Sequence, residues 1–156
     1  MFYGKILIVK NIIPPPVLAL ISIYFLYAFK DLFPSFSFIY KEILALLILI
    51  EAVIIIFFSI REFRKLETTV SPLKLNEVKS LVTGGIYKLS RNPMYLALTS
   101  IQFSAGIYFG NWLFLINIPL FIFYITHYQI IPEEKILKKK FGEKYEAYCS
   151  QTGRWF

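Results

Sequence analysis

At 156 residues the chain has the length of a single domain, 1–156, yet 57% of it is apolar and 19% aromatic, against about 45–50% apolar in a typical soluble domain. That excess needs a solvent other than water around part of the exterior, which excludes an ordinary water-soluble globule. Seventeen basic residues against ten acidic ones give a net charge of +7, and their placement along the chain assigns them to a membrane rim rather than to nucleic acid.

The first apolar stretch follows Lys5 and Lys10 and runs from Ile12 to Phe29. It is longer than the apolar core of a cleavable signal, and three more such stretches follow it. Pro14, Pro15 and Pro16 stand at its start, where a helix accepts proline because its first amides have no partners within the helix. A second span is predicted from Ile43 to Ile60. At about 1.5 Å per residue it comes close to the roughly 30 Å of a hydrocarbon core. Glu51 lies at its middle. A charge there costs about 2.5–3.5 kcal/mol, so Glu51 is expected to be protonated, paired or turned toward the bundle interior.

Residues 61–92 form a polar stretch with a Gly84-Gly85 turn near its end. Ser90-Arg91-Asn92-Pro93-Met94-Tyr95 then opens a third span, Pro93 to Phe109. Asn suits a helix N-cap and Pro the first helical position, so Asn92-Pro93 reads as a helix start. The exposed amides of such a start, with Arg91 beside them, can also hold a carboxylate or phosphate. Only Gly110 and Asn111 separate this span from a fourth, Trp112 to Ile131, which predicts a tight antiparallel hairpin. His127, the only histidine, falls near the inner end of the fourth span.

Pro132-Glu133-Glu134 opens a basic C-terminal tail, 132–156. Acidic residues in a first helical turn complement the helix dipole, and two adjacent carboxylates also suit a cationic ligand. Leu137, Phe141, Tyr145 and Tyr148 recur at three- and four-residue spacing, which predicts one shared helical face, lying against the loop or the lipid interface or lining a site.

All basic residues except Lys30 and Lys41 lie before the first span, between the second and third, or after the fourth. Positive residues mark the cytoplasmic side, so both termini are expected there. The predicted fold is therefore all-α: four transmembrane helices in the lipid bilayer and a cytoplasmic helical tail. The lone Cys149 excludes an internal disulfide and a cysteine metal cluster. No Walker loop, G-x-G-x-x-G fingerprint or His-x-x-x-His pair occurs. Composition and spacing reach a membrane protein with a candidate site at its cytoplasmic face, and no reaction.

Several motifs in order carry a resemblance. Leu81-Val82-Thr83-Gly84-Gly85-Ile86-Tyr87 and Arg91-Asn92-Pro93-Met94-Tyr95-Leu96 are followed by Glu133-Glu134, Phe141-Gly142-Glu143-Lys144-Tyr145, Tyr148 and Arg154-Trp155. With Thr68-Thr69-Val70-Ser71-Pro72, this pattern over residues 61–156 resembles the isoprenylcysteine carboxyl methyltransferase family and its bacterial and archaeal relatives. Residues 1–60, holding the first two spans, match only as generic apolar helices. The resemblance implies an S-adenosylmethionine-dependent methyltransferase acting on a small lipid or lipid-like acceptor. It implies cofactor contacts from Lys79, Ser80, Leu81, Val82, Tyr87, Asn92, Pro93, Met94, Tyr95 and Glu133, with Arg91, His127 and Glu134 as catalytic candidates.

Two positions depart from the family. Asn92 replaces a histidine, and Gln129 replaces the arginine expected to hold a prenylcysteine carboxylate. The second weighs against prenylcysteine as acceptor, and His127, two residues before Gln129, is a candidate to orient or deprotonate another one. An amine acceptor must lose a proton and calls for a base such as His127 or Glu134, whereas a carboxylate calls for a cation such as Arg91. The competing classes are a lipid or sterol reductase with a nicotinamide cofactor and a non-enzymatic membrane scaffold.

Overall fold

The computed structural model describes residues 13–67 and 78–156. Lys5, Lys10, Lys74 and the segment Thr68 to Pro72 lie outside the described residues. Within them the α-helices are α1 (Pro15–Ala28), α2 (Lys41–Lys65), α3 (Pro93–Phe109), α4 (Phe114–Ile125), α5 (Ile131–Phe141) and α6 (Glu143–Gln151). Extended pairing among the described residues is limited to an isolated bridge between Ser35 and Asn111.

The boundaries follow local chemistry. Pro14 precedes α1 and Pro15 opens it, while Asn92-Pro93 starts α3 as expected. The fourth span departs from expectation, because it does not end at Ile131. One π turn over Thr126–Ile130 carries α4 directly into α5, giving a continuous helix, Phe114–Phe141. A proline ring at 132 crowds the carbonyl four residues back, at Tyr128, and the wider π turn relieves that crowding without breaking the helix. A turn at Gly142 separates α5 from α6.

Among the described residues two helices are long and apolar enough to cross a membrane: α2, and the continuous α4–α5 helix. α1 is apolar but has 14 residues, and α3 has 17. α3 is the central element, packing most extensively on α2 and also against α1 and α4. α1 and α2 share little contact with one another.

Between α2 and α3 the packing rests on small side chains. Ala45, Ala52 and Ser59 recur every seven residues along α2 and are all buried. Ala97 and Ser104 are buried on α3, and the Ser104 hydroxyl donates to the Ala45 carbonyl at 2.6 Å. Between lipid-bathed helices apolar burial gives little net drive, so close backbone approach and interhelical hydrogen bonds set the contact. A polar knot joins α1, α3 and α4. Ser22 Oγ lies 2.6 Å from Gln102 Oε1 and 2.7 Å from Asn117 Oδ1. Its one proton serves a single oxygen, so the second contact is satisfied when that amide presents its NH2 group.

The hairpin between α3 and α4 is as tight as predicted. Gly110 ends α3 at φ +68°, and Asn111 Oδ1 accepts from the Leu113 amide at 3.0 Å. The α1–α2 connection docks on this turn through Phe36 N–H to Gly110 O (2.7 Å) and Trp112 N–H to Pro34 O (3.1 Å). A Cβ on Gly110 would meet the Phe36 carbonyl oxygen at 2.6 Å, so both backbone sign and space require glycine there.

Glu51 does not face the bundle interior. It is exposed on the outer surface of α2, because Ala52 takes the position against α3 and the preceding residue falls about 100° round the helix. The α2–α3 seam yields a direct prediction. Ala52→Leu should lower stability by about 1–3 kcal/mol through overpacking, whereas Val53→Leu on the exposed face should leave it within about 0.5 kcal/mol; denaturant unfolding in detergent measures both.

Candidate functional site

The last turns of α2 set the floor of the site. Glu62 is buried there and pairs with Lys65 at 2.6 Å. The Gly84-Gly85 turn closes against it, with Gly85 at φ +56°. A Cβ on Gly85 would lie 2.7 Å from Glu62 Cδ and Oε1. The 3₁₀ turn Gly85–Lys88 follows and turns Tyr87 inward, where it packs with Val82, Tyr145 and Tyr148. Tyr148 donates to the Tyr87 carbonyl at 2.6 Å. Burial holds both phenols above their ordinary range, so they remain neutral donors. Leu137 and Phe141 pack on the same cluster. The four residues predicted to share one helical face therefore do meet, but across the turn at Gly142 rather than along one helix.

Arg91, just before α3, is held by the tail. Its Nη1 donates to the carbonyls of Thr152 (2.8 Å) and Cys149 (3.3 Å) and its Nη2 to Glu134 Oε1 (2.9 Å). Arg154 grips the same carboxylate from the other side, Nε to Oε1 at 3.0 Å and Nη2 to Oε2 at 2.7 Å. The hydrogen bonds to Glu134 raise the Arg154 guanidinium above its ordinary range. Charged, two-point bonds of this kind are among the strongest polar contacts. The Arg91 guanidinium also neutralises the unpaired carbonyls at the end of α6. Asn92 does not cap α3 with its side chain. Its Nδ2 reaches the Arg154 carbonyl at 3.0 Å instead, and its backbone N–H goes to Ser90 Oγ at 3.1 Å.

These elements enclose a cavity of about 340 Å³, within the size range of small-molecule sites. Ser80, Leu81, Val82, Tyr87, Arg91, Asn92, Met94, Tyr95, Glu133 and Glu134 all line it. Glu133 Oε1 accepts from Tyr95 Oη at 2.6 Å and from Gln129 Nε2 at 2.8 Å. Both bonds fall on the same oxygen, so the other keeps its acceptor capacity. Arg91 Nε is buried without a partner among the described residues. A largely apolar cavity with carboxyl groups, an orphaned guanidinium N–H and aromatic walls suits a ligand that combines charged groups with apolar or aromatic parts.

Three expected residues are not in the lining. Pro93 is buried as the first residue of α3. Lys79 is exposed. His127 is exposed on the outer side of the π turn, its Nδ1 2.9 Å from the Phe123 carbonyl and its ring 4.2 Å from that of Phe123. The lining also includes Pro15, Pro16, Ile56, Phe63, Val78 and Leu98, which reading the sequence missed. Leu98 follows Met94 and Tyr95 by one turn, a spacing that could have flagged it. Ile56 lies within an apolar span and carries no such signal, and nothing in the polar stretch 61–92 singled out Phe63 or Val78.

The ion-pair network predicts a mutational outcome. Glu134→Gln leaves two arginines sharing a neutral amide, so stability should fall by about 2–4 kcal/mol. Limited proteolysis should then cut within residues 142–156 well before the rest of the chain.

The family model for phospholipid methyltransferases matches residues 40–144, well over half of the chain. An uncharacterized protein of Haemophilus influenzae is 37% identical over 62 residues, covering 40% of this chain and 98% of that protein. No solved structure matches. The region matched by the family model runs from the start of α2 to the beginning of α6 and contains most of the cavity wall, including Arg91, Asn92, Tyr95 and the two glutamates. The chain belongs to the phospholipid methyltransferase family, a family of membrane methyltransferases.

Proposed function

We propose that this protein transfers a methyl group from S-adenosylmethionine to a lipid-like acceptor at the cytoplasmic face of a membrane. The observation that carries the reading is the mixed lining of the cavity: Arg91, Asn92, Glu133 and Glu134 supply polar groups, and Pro15, Pro16, Ile56 and Leu98 supply apolar surface from α1, α2 and α3. The polar groups suit a water-soluble donor and the apolar surface an acyl or prenyl chain. Family membership supports a transferase over a reductase or a scaffold.

α1 and α3 are read as the remaining two spans. At about 1.5 Å per residue their 14 and 17 residues cover most of the hydrocarbon thickness, and their flanking aromatics complete it. Four spans put both termini on the basic side of the membrane, as the distribution of lysine and arginine requires.

S-adenosylmethionine would supply an electrophilic methyl group on a cationic sulfur, which leaves as a neutral thioether. Asn92, Tyr95, Glu133 and the walls formed by Ser80 to Val82, Met94 and Tyr87 would hold it, and Arg91 Nε would take its carboxylate. The protein's own contribution is alignment and the exclusion of water, which can supply much of the acceleration in an in-line displacement. Glu133 turns a carboxyl group to the cavity, held in place by Tyr95 and Gln129. Glu134 holds Arg91 and Arg154 and acts by positioning them.

This arrangement favours an amine acceptor. The two Arg91 Nη groups are engaged by Glu134 and backbone carbonyls and so are not available to seat an acceptor carboxylate. The Glu133 carboxylate can receive the proton that an amine must lose. His127, turned away from the cavity, takes no part.

The test is transfer of labelled methyl from S-adenosylmethionine into vesicle lipid by purified protein, with phosphatidylethanolamine and a prenylated cysteine as competing acceptors. Labelling of the amine lipid is expected. Tyr95→Phe should lower turnover about tenfold or more by loosening Glu133, with wild-type thermal stability retained as the folding control. His127→Ala should leave turnover unchanged from pH 5.5 to 8. Saturable NADPH binding without S-adenosylmethionine binding would overturn the proposal.

A further inference from the structure

Among the described residues α2 packs chiefly on α3 and on the turn at Gly85–Lys88, and much of its remaining surface is exposed. Leu44, Leu47, Ile54 and Phe58 are exposed large apolar residues, and Glu51 is exposed between them. Their spacing alternates three and four residues over the helix, the repeat of a coiled-coil seam with Glu51 at its centre. The seam is distinct from the buried Ala45, Ala52 and Ser59 stripe that meets α3. It also lies on the flank away from the catalytic cavity, which α2 lines through Ile56 and Phe63.

We infer that this seam is the interface with a second copy of the same chain, formed by two α2 helices packed in parallel within the bilayer. No bond or ion pair joins Glu51 to any other described residue, and a carboxyl group facing lipid is costly even when protonated. Copies inserted in one orientation hold Glu51 at the same depth, so a two-fold axis along the membrane normal brings Glu51 onto Glu51. A protonated carboxyl is both donor and acceptor, hence self-complementary: two of them satisfy each other, which a lipid tail or an apolar helix cannot do. Large apolar residues on both sides supply interlocking contact, and the single polar position sets the register.

Cysteine cross-linking in lipid vesicles tests this, with Cys149→Ser removing the native thiol. Ile54→Cys should form a disulfide-linked dimer under mild oxidation, while Val53→Cys, exposed on a different face, should not. Glu51→Leu should weaken association in the membrane roughly three- to thirty-fold, measured by energy transfer between labelled copies as lipid dilution increases. Glu51→Gln, which keeps a donor and an acceptor, should retain most of it. Because Glu51 makes no hydrogen bond or ion pair with the described residues and is exposed, these variants should fold as the parent does, and their unfolding midpoints check this. A chain that stays monomeric at every lipid ratio overturns the inference. So does equal cross-linking at positions 53 and 54, dimerisation unaffected by Glu51→Leu, or capture by Ile54→Cys of a different membrane protein in place of a second copy.

Discussion

The cavity depends on one carboxylate. Glu134 receives Arg91 from the start of α3 and Arg154 from the C-terminal segment, and Arg91 in turn holds the last carbonyls of α6. Three parts of the chain that are far apart in sequence are thereby fixed to within a hydrogen-bond length of one another. Such a network is costly when half-made and rigid when complete, because each charge that is kept from water must find its partner there. The gain is geometric: the polar end of the cavity has walls that cannot drift apart.

The membrane imposes a different rule on the helices. Between lipid-facing segments the interior is no more apolar than the surroundings, and at the α2–α3 seam alanine and serine let the backbones approach while Ile55, Ile56 and Ile101 pack beside them. Many of the other large apolar side chains of α2 are turned outward. The same logic accounts for Ser22, Gln102 and Asn117, which meet at the junction of α1, α3 and α4. Each would be expensive alone in hydrocarbon, and together they tie the junction.

The site sits where these two regimes meet. Its lining draws both on the apolar helices and on the polar loop and tail. The π turn at Thr126–Ile130 contributes to this placement. Through it the fourth helix continues past Pro132, and Gln129 and Glu133 come onto one side, bonded to each other.

Much was legible before any fold was known. Apolar runs and punctuating prolines located most of the helices, and the ordered motifs from Leu81 to Arg154 located most of the cavity wall. These signals are local: a span needs length, a helix start needs Asn-Pro, a hairpin needs Gly110. Which way each side chain points is not local. Whether Glu51 faces the bundle or the lipid depends on which residue of α2 meets α3, and Ala52 takes that place. His127 and Glu133 both lie near the inner end of one helix, yet only the helix's rotation against α3 brings Glu133 to Tyr95 and leaves His127 outside. Composition and spacing determined the elements and their order, but only tertiary packing decided which of the charged residues share a cavity, because that choice is made by contacts between segments that do not know of one another in sequence.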